Sequence, residues 1–142
     1  MGTDNHDRID LRVIVDASVE QAWAFVSEPG WYINEGALVD HEISWNDSEV
    51  TVVDADHGRF VLRREAVDPP RYLRDSSTVN EHGDVRRVEF WVSAGLPGEL
   101  RVVETGFASM HGSVEDQRAQ HEQNTRTWRR QLELAQQRLA EP

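Results

Sequence analysis

The strongest constraint on the fold is a long helix signal at the C-terminal end of the chain. No glycine or proline occurs from Ser113 to Glu141, and Ser113 precedes acidic residues as an N-cap precedes a first helical turn. At about 1.5 Å per residue, a helix over this stretch is roughly 40 Å long. One face, read at helical spacing, consists of His121, Thr125, Trp128, Leu132, Ala135 and Leu139. Its first half is polar and its second half apolar, so we expect the second half to anchor the helix in the core.

The segment ahead of this helix has the pattern of an antiparallel sheet. A first strand is predicted at Ile9–Val15, and Ser18 with Gln21 then forms a capping-box pattern that starts a short helix. A second short helical turn is predicted around Trp31–Ile33. Beyond it, short β-rich runs separated by turn residues predict strands at 39–45, 50–55, 59–67, 72–79, 85–93 and 100–108. Their close spacing favours an antiparallel meander over parallel units.

Together these elements predict an α+β domain with a helix-grip fold. A curved antiparallel sheet of about seven strands would wrap the long C-terminal helix, with two short helices after the first strand. A straight helix does not close against a curved sheet along its whole length, so a ligand cavity is expected between them. The 142 residues fit a single domain, in which residues 1–8 are expected to form a flexible tail.

The composition argues against several classes of function. The formal charge of −11, from 15 basic and 26 acidic residues, disfavours nucleic acid and anionic membrane as partners. Without cysteine the chain forms no disulfide, thiolate nucleophile or cysteine-ligated metal site. Its six histidines lack metal-site spacing, and we predict neither a metal nor a cofactor. No run is long enough to span a membrane and no apolar leader follows Met1, so a cytoplasmic location is expected.

Three stretches resemble the SRPBCC superfamily, which includes START domains and the birch-pollen-allergen proteins. They are Val15–Trp23, Asp68–Leu73 with its Asp-Pro-Pro-Arg turn, and Glu104–Phe107 followed later by Trp128 and Leu132. Within that superfamily they look most like the C-terminal domain of the heat-shock-protein-90 ATPase activator. The likeness covers nearly the whole chain and implies the helix-grip fold with an apolar cavity. It leaves the activity open, because the superfamily includes carriers, hormone receptors, cyclases and co-chaperones.

Strand alternation predicts which side chains face the cavity. The expected inward sets are Val88, Phe90 and Val92 in one strand, Leu100, Val102 and Glu104 in another, and Tyr72, Arg74 and Ser76 in a third. Family members that resemble this chain often carry aromatic residues where Arg74 and Ser76 stand, so this wall is expected to be more polar. A buried charge without a partner costs several kcal/mol, so Arg74 is predicted to meet Glu104 or an acidic group of the ligand. The alternative is a register shift that leaves Arg74 in solvent.

The predicted ligand-binding residues combine these sets with aromatic residues at the expected cavity mouth and with the polar half of the helix stripe. They are Trp31, Tyr32, Tyr72, Arg74, Ser76, Phe90, Glu104, Phe107, His121, Thr125 and Trp128. Trp128, like Trp23, also fits a purely structural role on a helix stripe. Trp91 falls on the outward set and is a candidate for a homodimer surface, the alternative being a lone exposed tryptophan. Any ligand is expected near the N-terminal half of the helix, close to Glu104, Trp31 and Arg74.

Several functions fit the sequence. The first is non-catalytic binding of a small hydrophobic or aromatic molecule between the sheet and the helix. The second is a cavity enzyme of the cyclase, dehydratase or hydrolase kind, in which Glu104 works with His111 or His121 as acid and base, although these residues also fit structural roles. A third is a co-chaperone-like module that binds another protein through the acidic surface. No nucleophile elbow, phosphate loop or dinucleotide fingerprint occurs in the sequence.

Overall fold

The strands and helices of the computed structural model follow the predicted order. The structure describes residues 7–77, 83–93, 95 and 97–141. In chain order the elements are β1 (Arg8–Val15), α1 (Val19–Val26), β2 (Glu42–Asn46), β3 (Glu49–Asp54), β4 (Gly58–Asp68), β5 (Tyr72–Ser77), β6 (Arg87–Ser93), β7 (Gly98–Thr105) and α2 (Val114–Ala140). The last two residues of the strand predicted at 72–79 lie outside the described ranges.

The strands of the described ranges form one seven-stranded antiparallel sheet with the order β1-β7-β6-β5-β4-β3-β2. From β2 to β7 the chain runs as a meander, as predicted, and β7 then lies beside β1. Apolar residues of α2 join those of the sheet in one core. The predicted α+β class and helix-grip architecture are therefore confirmed.

α2 begins and packs as its sequence predicts. The Ser113 hydroxyl accepts a hydrogen bond from the Asp116 N–H at 3.0 Å, and the Asp116 carboxylate accepts one from the Ser113 N–H at 3.1 Å. Gln136 reaches the edge of the sheet and donates to the carbonyl of Ile14 at 2.7 Å. The buried residues of the helix are Trp128, Gln131, Leu132, Leu134 and Ala135. This confirms the predicted anchor in its second half. No helix within the described ranges is long and apolar enough to cross a lipid bilayer.

Alternation in β6 and β7 places the predicted side chains on the inner face of the sheet. The buried residues there are Val88, Phe90 and Val92 from β6 and Leu100, Val102 and Glu104 from β7. The pairing of the two strands sets Phe90 opposite Val102 and Val88 opposite Glu104. Both predicted inward sets are confirmed, because every second side chain of a strand points to the same face.

The predicted orientation of β5 is wrong. Leu73 pairs with Phe90, so Leu73 and Asp75 face inward. All three residues of the predicted inward set, Tyr72, Arg74 and Ser76, consequently lie on the outer face of the sheet. The physical reason is that Leu73 is fully buried in the core. Burial of this one apolar side chain sets the register, and the two-residue period then carries its neighbours to the opposite face.

A bulge in β4 brings charged residues together on both faces. It falls between Arg64 and Ala66 and sets Arg64 opposite Asp75 on the inner face. Glu65 points outward, where its carboxylate lies 3.0 Å from Nε of Arg74. Arg74 therefore has a partner at the solvent-facing side of the sheet, and the predicted meeting of Arg74 with Glu104 inside the cavity does not occur.

The segment between α1 and β2 consists of turns and bends and contains no second helix. Gly30 and Gly36 adopt φ angles of +69° and +100°, which do not continue a right-handed helix. Gly30 is also closely packed, since a Cβ there would lie 3.0 Å from side-chain atoms of Ile33 and Val52. The predicted pair of short helices is thus reduced to α1.

Two predicted boundaries also differ from the structure. Arg8 belongs to β1, and the Asp7 carboxylate accepts a hydrogen bond from the Ala108 N–H at 2.9 Å. β1 therefore begins one residue before the predicted Ile9, and residues 1–6 of the expected tail lie outside the described ranges. β7 ends at Thr105 and not at the predicted Ala108, because Gly106 takes a φ of +111°.

We predict that Gly106→Ala destabilises the protein more than Gly58→Ala. Both glycines have positive φ, +111° and +86°. A Cβ at position 106 would lie 2.6 Å from the Val85 carbonyl oxygen, whereas one at position 58 meets no atom within 4 Å. We expect Gly58→Ala to lower the free energy of unfolding by about 1 kcal/mol and Gly106→Ala by about 2–4 kcal/mol. Urea unfolding measures both losses, and equal values would contradict the clash.

Candidate ligand-binding site

Aromatic side chains fill the space between the sheet and the middle of α2. The ring centroid of Trp31 lies 5.7 Å from that of Phe90 and 6.2 Å from that of Trp128. The Tyr32 and Trp128 centroids are 4.9 Å apart. Trp31, Phe90 and Trp128 are each at most 4% exposed, and the Trp31 indole N–H has no hydrogen-bond partner in the described part of the chain. These three predicted ligand residues are therefore core side chains that pack on one another.

A pocket lies beside this aromatic cluster, between the turn segment 31–33 and the inner face of the sheet. Its volume is about 330 Å³, at the lower end of the range of about 300–1,000 Å³ typical of small-molecule sites. Its lining residues are Tyr32, Ile33, Phe60, Leu62, Asp75, Ser76, Ser77, Arg86, Val88 and Glu104. This described lining comes from the sheet and its connections and not from α2. The predicted position near Glu104 agrees with the pocket, whereas the predicted position against the N-terminal half of the helix does not.

Other depressions of comparable size occur on the described surface. One of about 340 Å³ lies on the outer sheet face around Glu65, and one of about 430 Å³ lies beside the start of α1. A third, of about 330 Å³, lies between Asn34 and Arg130. Charged side chains or loop residues predominate in each of them. We assign the candidate site to the pocket beside Glu104, because an apolar wall there meets a few converging polar groups.

Glu104 is the buried acid of this pocket. Its Oε1 accepts hydrogen bonds from Nε1 of Trp128 at 2.9 Å and from Nδ2 of Asn124 at 3.1 Å. Burial raises the pKa of Glu104 above its ordinary value, and these hydrogen bonds, with the charges of Arg86 and His121, offset part of the rise. The predicted inward position of Glu104 is confirmed. The carboxyl group is held in place by the helix while it lines a pocket formed by the sheet.

Asp75 and Arg64 form a second buried charged group at the pocket, and the sequence interpretation missed it. Nε and Nη2 of Arg64 donate to the two carboxylate oxygens of Asp75 at 2.8 and 3.0 Å. Nη1 of Arg64 donates to the carbonyl of Ser27 at 3.0 Å. This bidentate pair compensates the charge of Asp75 inside the sheet. The signal that could have revealed it is Leu73, whose burial requires Asp75 to face inward.

Hydroxyl groups also line the pocket. Burial, and then the charges of Asp75 and Glu104, raise the pKa of Tyr32 well above its ordinary value, so its phenol stays protonated. Ser76 and Ser77 line the pocket as well, and Oγ of Ser77 accepts a hydrogen bond from the Arg86 N–H at 3.0 Å. Of the predicted ligand residues, Tyr32 and Glu104 thus lie at the pocket, and Ser76 borders both this pocket and the depression on the outer face.

The predicted acid–base group of Glu104 with a histidine is not assembled in this structure. Nε2 of His121 lies 2.8 Å from the carbonyl oxygen of Arg8, and its ring contacts Phe107 edge-on at 5.3 Å. His121 acts on Glu104 through its charge, and the hydrogen bonds described above come from Trp128 and Asn124. His111 is exposed, and its backbone N–H donates to Asp84 at 2.8 Å.

Three further residues of the predicted ligand set do not line the pocket. Phe107 is fully buried, and the Thr125 hydroxyl donates to the carbonyl of His121 in the same helix at 2.7 Å. Tyr72 packs against Trp91 on the outer sheet face with ring centroids 5.0 Å apart. Trp91 faces outward as predicted, and the guanidinium carbon of Arg101 lies 4.8 Å from its ring centroid. The proposed homodimer surface around Trp91 stays a prediction.

A polar cluster outside the pocket holds the turn segment against the sheet. His57 lies between two acids, with Nδ1 2.9 Å from Oδ1 of Asp54 and Nε2 2.8 Å from Oε1 of Glu35. Nε2 of His41 lies 2.9 Å from both Asp54 and the carbonyl of Ile33. These contacts fix Ile33 and Glu35, which follow Tyr32 in the chain. Within the described residues, no group of three or more His, Asp or Glu side chains is arranged to hold a metal ion.

Comparisons with solved structures show the fold and no more. A protein from Mesorhizobium loti, MLL2253, has a TM-score of 0.66 at 16% identity over 92% of this chain and 94% of its own. XoxI from Bacillus cereus has a TM-score of 0.68 at 14% identity over 94% and 95% of the two chains. DynU16, a protein of the dynemicin biosynthetic locus, has a TM-score of 0.69 at 16% identity over 92% of this chain and 46% of its own. These likenesses support the helix-grip fold described above. No protein-family model and no curated protein matches the chain.

We predict that the contribution of His57 to stability depends on pH. Its hydrogen bonds to Asp54 and Glu35 raise the pKa of His57, so its contribution is complete below the ordinary value of 6.5 and is lost as pH rises through the higher folded-state pKa. The hydrogen bond from His57 lowers the pKa of Asp54, whose contribution is present above 3.8 and is lost as pH falls through the folded-state pKa. The cluster is therefore strongest between about pH 4 and pH 6.5.

Urea unfolding of the wild type and of His57→Gln at about pH 5.5 and about pH 8.5 tests this expectation. The substitution should cost more stability at the lower pH. Glu35→Gln removes one of the two acid partners and should produce a smaller effect in the same direction. Equal losses at both pH values would show that His57 contributes by packing alone.

Proposed function

We propose that this chain binds a small apolar or aromatic molecule in the pocket between the turn segment 31–33 and the inner face of the sheet. The observation that carries the proposal is the make-up of the pocket. Phe60, Leu62 and Val88 supply an apolar wall. The carboxylates of Asp75 and Glu104 beside it are held by hydrogen bonds within the protein. An apolar wall with a few fixed polar groups favours binding of a ligand in one orientation.

The two acids of the pocket support binding because each already has hydrogen-bond partners within the protein. Asp75 is paired with Arg64, and Glu104 accepts hydrogen bonds from α2. A ligand that enters the pocket therefore does not have to break a buried ion pair. It replaces water against the apolar wall, which contributes roughly 25 cal/mol for each Å² of apolar surface removed from solvent.

A cavity enzyme is the second candidate, and one observation favours it. Glu104 lines the pocket, and burial raises its pKa, which is the direction of shift that favours a general acid. A bell-shaped pH–rate profile that disappears in Glu104→Gln would support catalysis. Recovery of an unchanged ligand from the complex would support binding alone.

Filling the pocket should weaken binding. We predict that Leu62→Trp weakens binding of the neutral aromatic probe N-phenyl-1-naphthylamine by about tenfold or more, because the larger tryptophan side chain on the inner face would occupy the space beside the apolar wall. The matched control is Val61→Trp, since Val61 is the preceding residue of β4 and points to the outer face. Fluorescence titration gives the dissociation constants.

The control variant should bind the probe within about twofold of the wild type. Circular dichroism and thermal unfolding of both variants establish that each is folded. The proposal fails if the wild type does not bind the probe, or if Leu62→Trp binds it as well as Val61→Trp does.

We also propose that the chain is a single domain that works in the cytoplasm, and that it is related to the C-terminal domain of the heat-shock-protein-90 ATPase activator. The resemblance of Asp68–Leu73 to the Asp-Pro-Pro-Arg turn of that group supports this assignment. A homodimer through the outer face around Trp91 and a co-chaperone-like role of the acidic surface stay predictions.

A further inference from the structure

Arg86 is fixed in place where the pocket meets β6. Its backbone N–H donates to Oγ of Ser77, and its carbonyl accepts a hydrogen bond from the Ser77 N–H at 2.8 Å. Its side-chain stem passes close to Gly106, where an added Cβ would lie 3.2 Å from Cγ of Arg86. The guanidinium carbon lies 5.3 Å from the centroid of the buried Phe107 ring. A cation held in this way loses little conformational freedom when it binds an anion.

The charged side chains that line the pocket differ in how their charge is compensated by neighbouring groups. Asp75 is compensated by its bidentate pair with Arg64. Burial raises the pKa of Glu104, and the charge of Arg86 offsets part of this rise. Among the ion pairs formed within the described residues, none includes Arg86. In a chain with 26 acidic and 15 basic residues, this leaves Arg86 as a cation at the pocket that a ligand can meet.

We propose that Arg86 binds the negatively charged oxygen group of an amphipathic ligand whose apolar part lies against Phe60, Leu62 and Val88. The pocket would then select small aromatic or apolar anions over neutral molecules of the same shape. This inference rests on the proposed function, since it names the chemical class of the ligand for the same pocket. Hydrogen bonds from a guanidinium to an anionic oxygen are charge-assisted and are stronger than neutral ones.

Two related probes test the proposal. N-phenyl-1-naphthylamine is neutral, and 1-anilinonaphthalene-8-sulfonate has the same ring system with one anionic group. We expect the wild type to bind the sulfonate more tightly than the neutral probe. Arg86→Gln should weaken sulfonate binding by about tenfold or more, since a hydrogen bond to a charged group is lost. It should leave binding of the neutral probe within about twofold of the wild type.

The matched control is Arg87→Gln. Arg87 is the next residue along the chain, points to the outer face and pairs with Glu65 at 3.0 Å. Its substitution removes the same charge from the protein and should leave binding of both probes unchanged. Leu62→Trp should also weaken sulfonate binding. Loss of both probes in this one variant would show that they bind in the same pocket.

Each outcome separates this inference from the proposed function. If both probes bind the wild type and Arg86→Gln affects neither, or affects both equally, the role of Arg86 is wrong while the pocket stands. If neither probe binds the wild type, the proposed function itself fails. If Arg86→Gln does not fold, increasing salt provides the second measurement on the wild type. It should weaken binding of the sulfonate and leave the neutral probe unchanged, and an equal response of the two probes would overturn the proposal.

Discussion

The contact between Trp128 and Glu104 joins the helix to the sheet at the boundary between core and pocket. A buried carboxyl group costs several kcal/mol unless it is hydrogen-bonded, so Glu104 requires donors from α2. The indole and the amide of Asn124 supply them at 2.9 and 3.1 Å. On one side of this contact the aromatic rings close the space between helix and sheet. On the other side the pocket lies between the turn segment 31–33 and the inner face of the sheet.

The electrostatics of the pocket follow from how each charge is compensated. Asp75 has a bidentate partner inside the sheet, Glu104 has neutral donors from the helix, and Arg86 lies over an aromatic ring. The outcome is a pocket with an apolar wall, two acids that are hydrogen-bonded within the protein, and the cation Arg86. Since the structural likenesses extend to the fold alone, the arrangement of these groups is the evidence that bears on function.

Sequence patterns predicted the elements well where apolar residues alternate strictly. In β6 and β7 every second residue is apolar or is the one acid at the end of the row, and both inward sets were correct. In β5 the run Tyr72–Ser77 contains one aliphatic side chain among polar ones, so the pattern favours neither face. Because the orientation of this strand was predicted incorrectly, Arg74 was assigned to the wrong face, and the pair of Asp75 with Arg64 was not predicted.

The sequence by itself determined the long helix with its cap, the antiparallel meander and the inward position of Glu104, because each depends on local spacing. The tertiary structure decided which charged groups meet. Arg64 reaches Asp75 through a bulge in β4, and His57 reaches Glu35 across 22 residues of chain. Such pairs depend on strand register and on the path of the turn segment, and a local pattern of residues encodes neither. For the same reason the pocket came to lie against the sheet and its turns, and not along the helix.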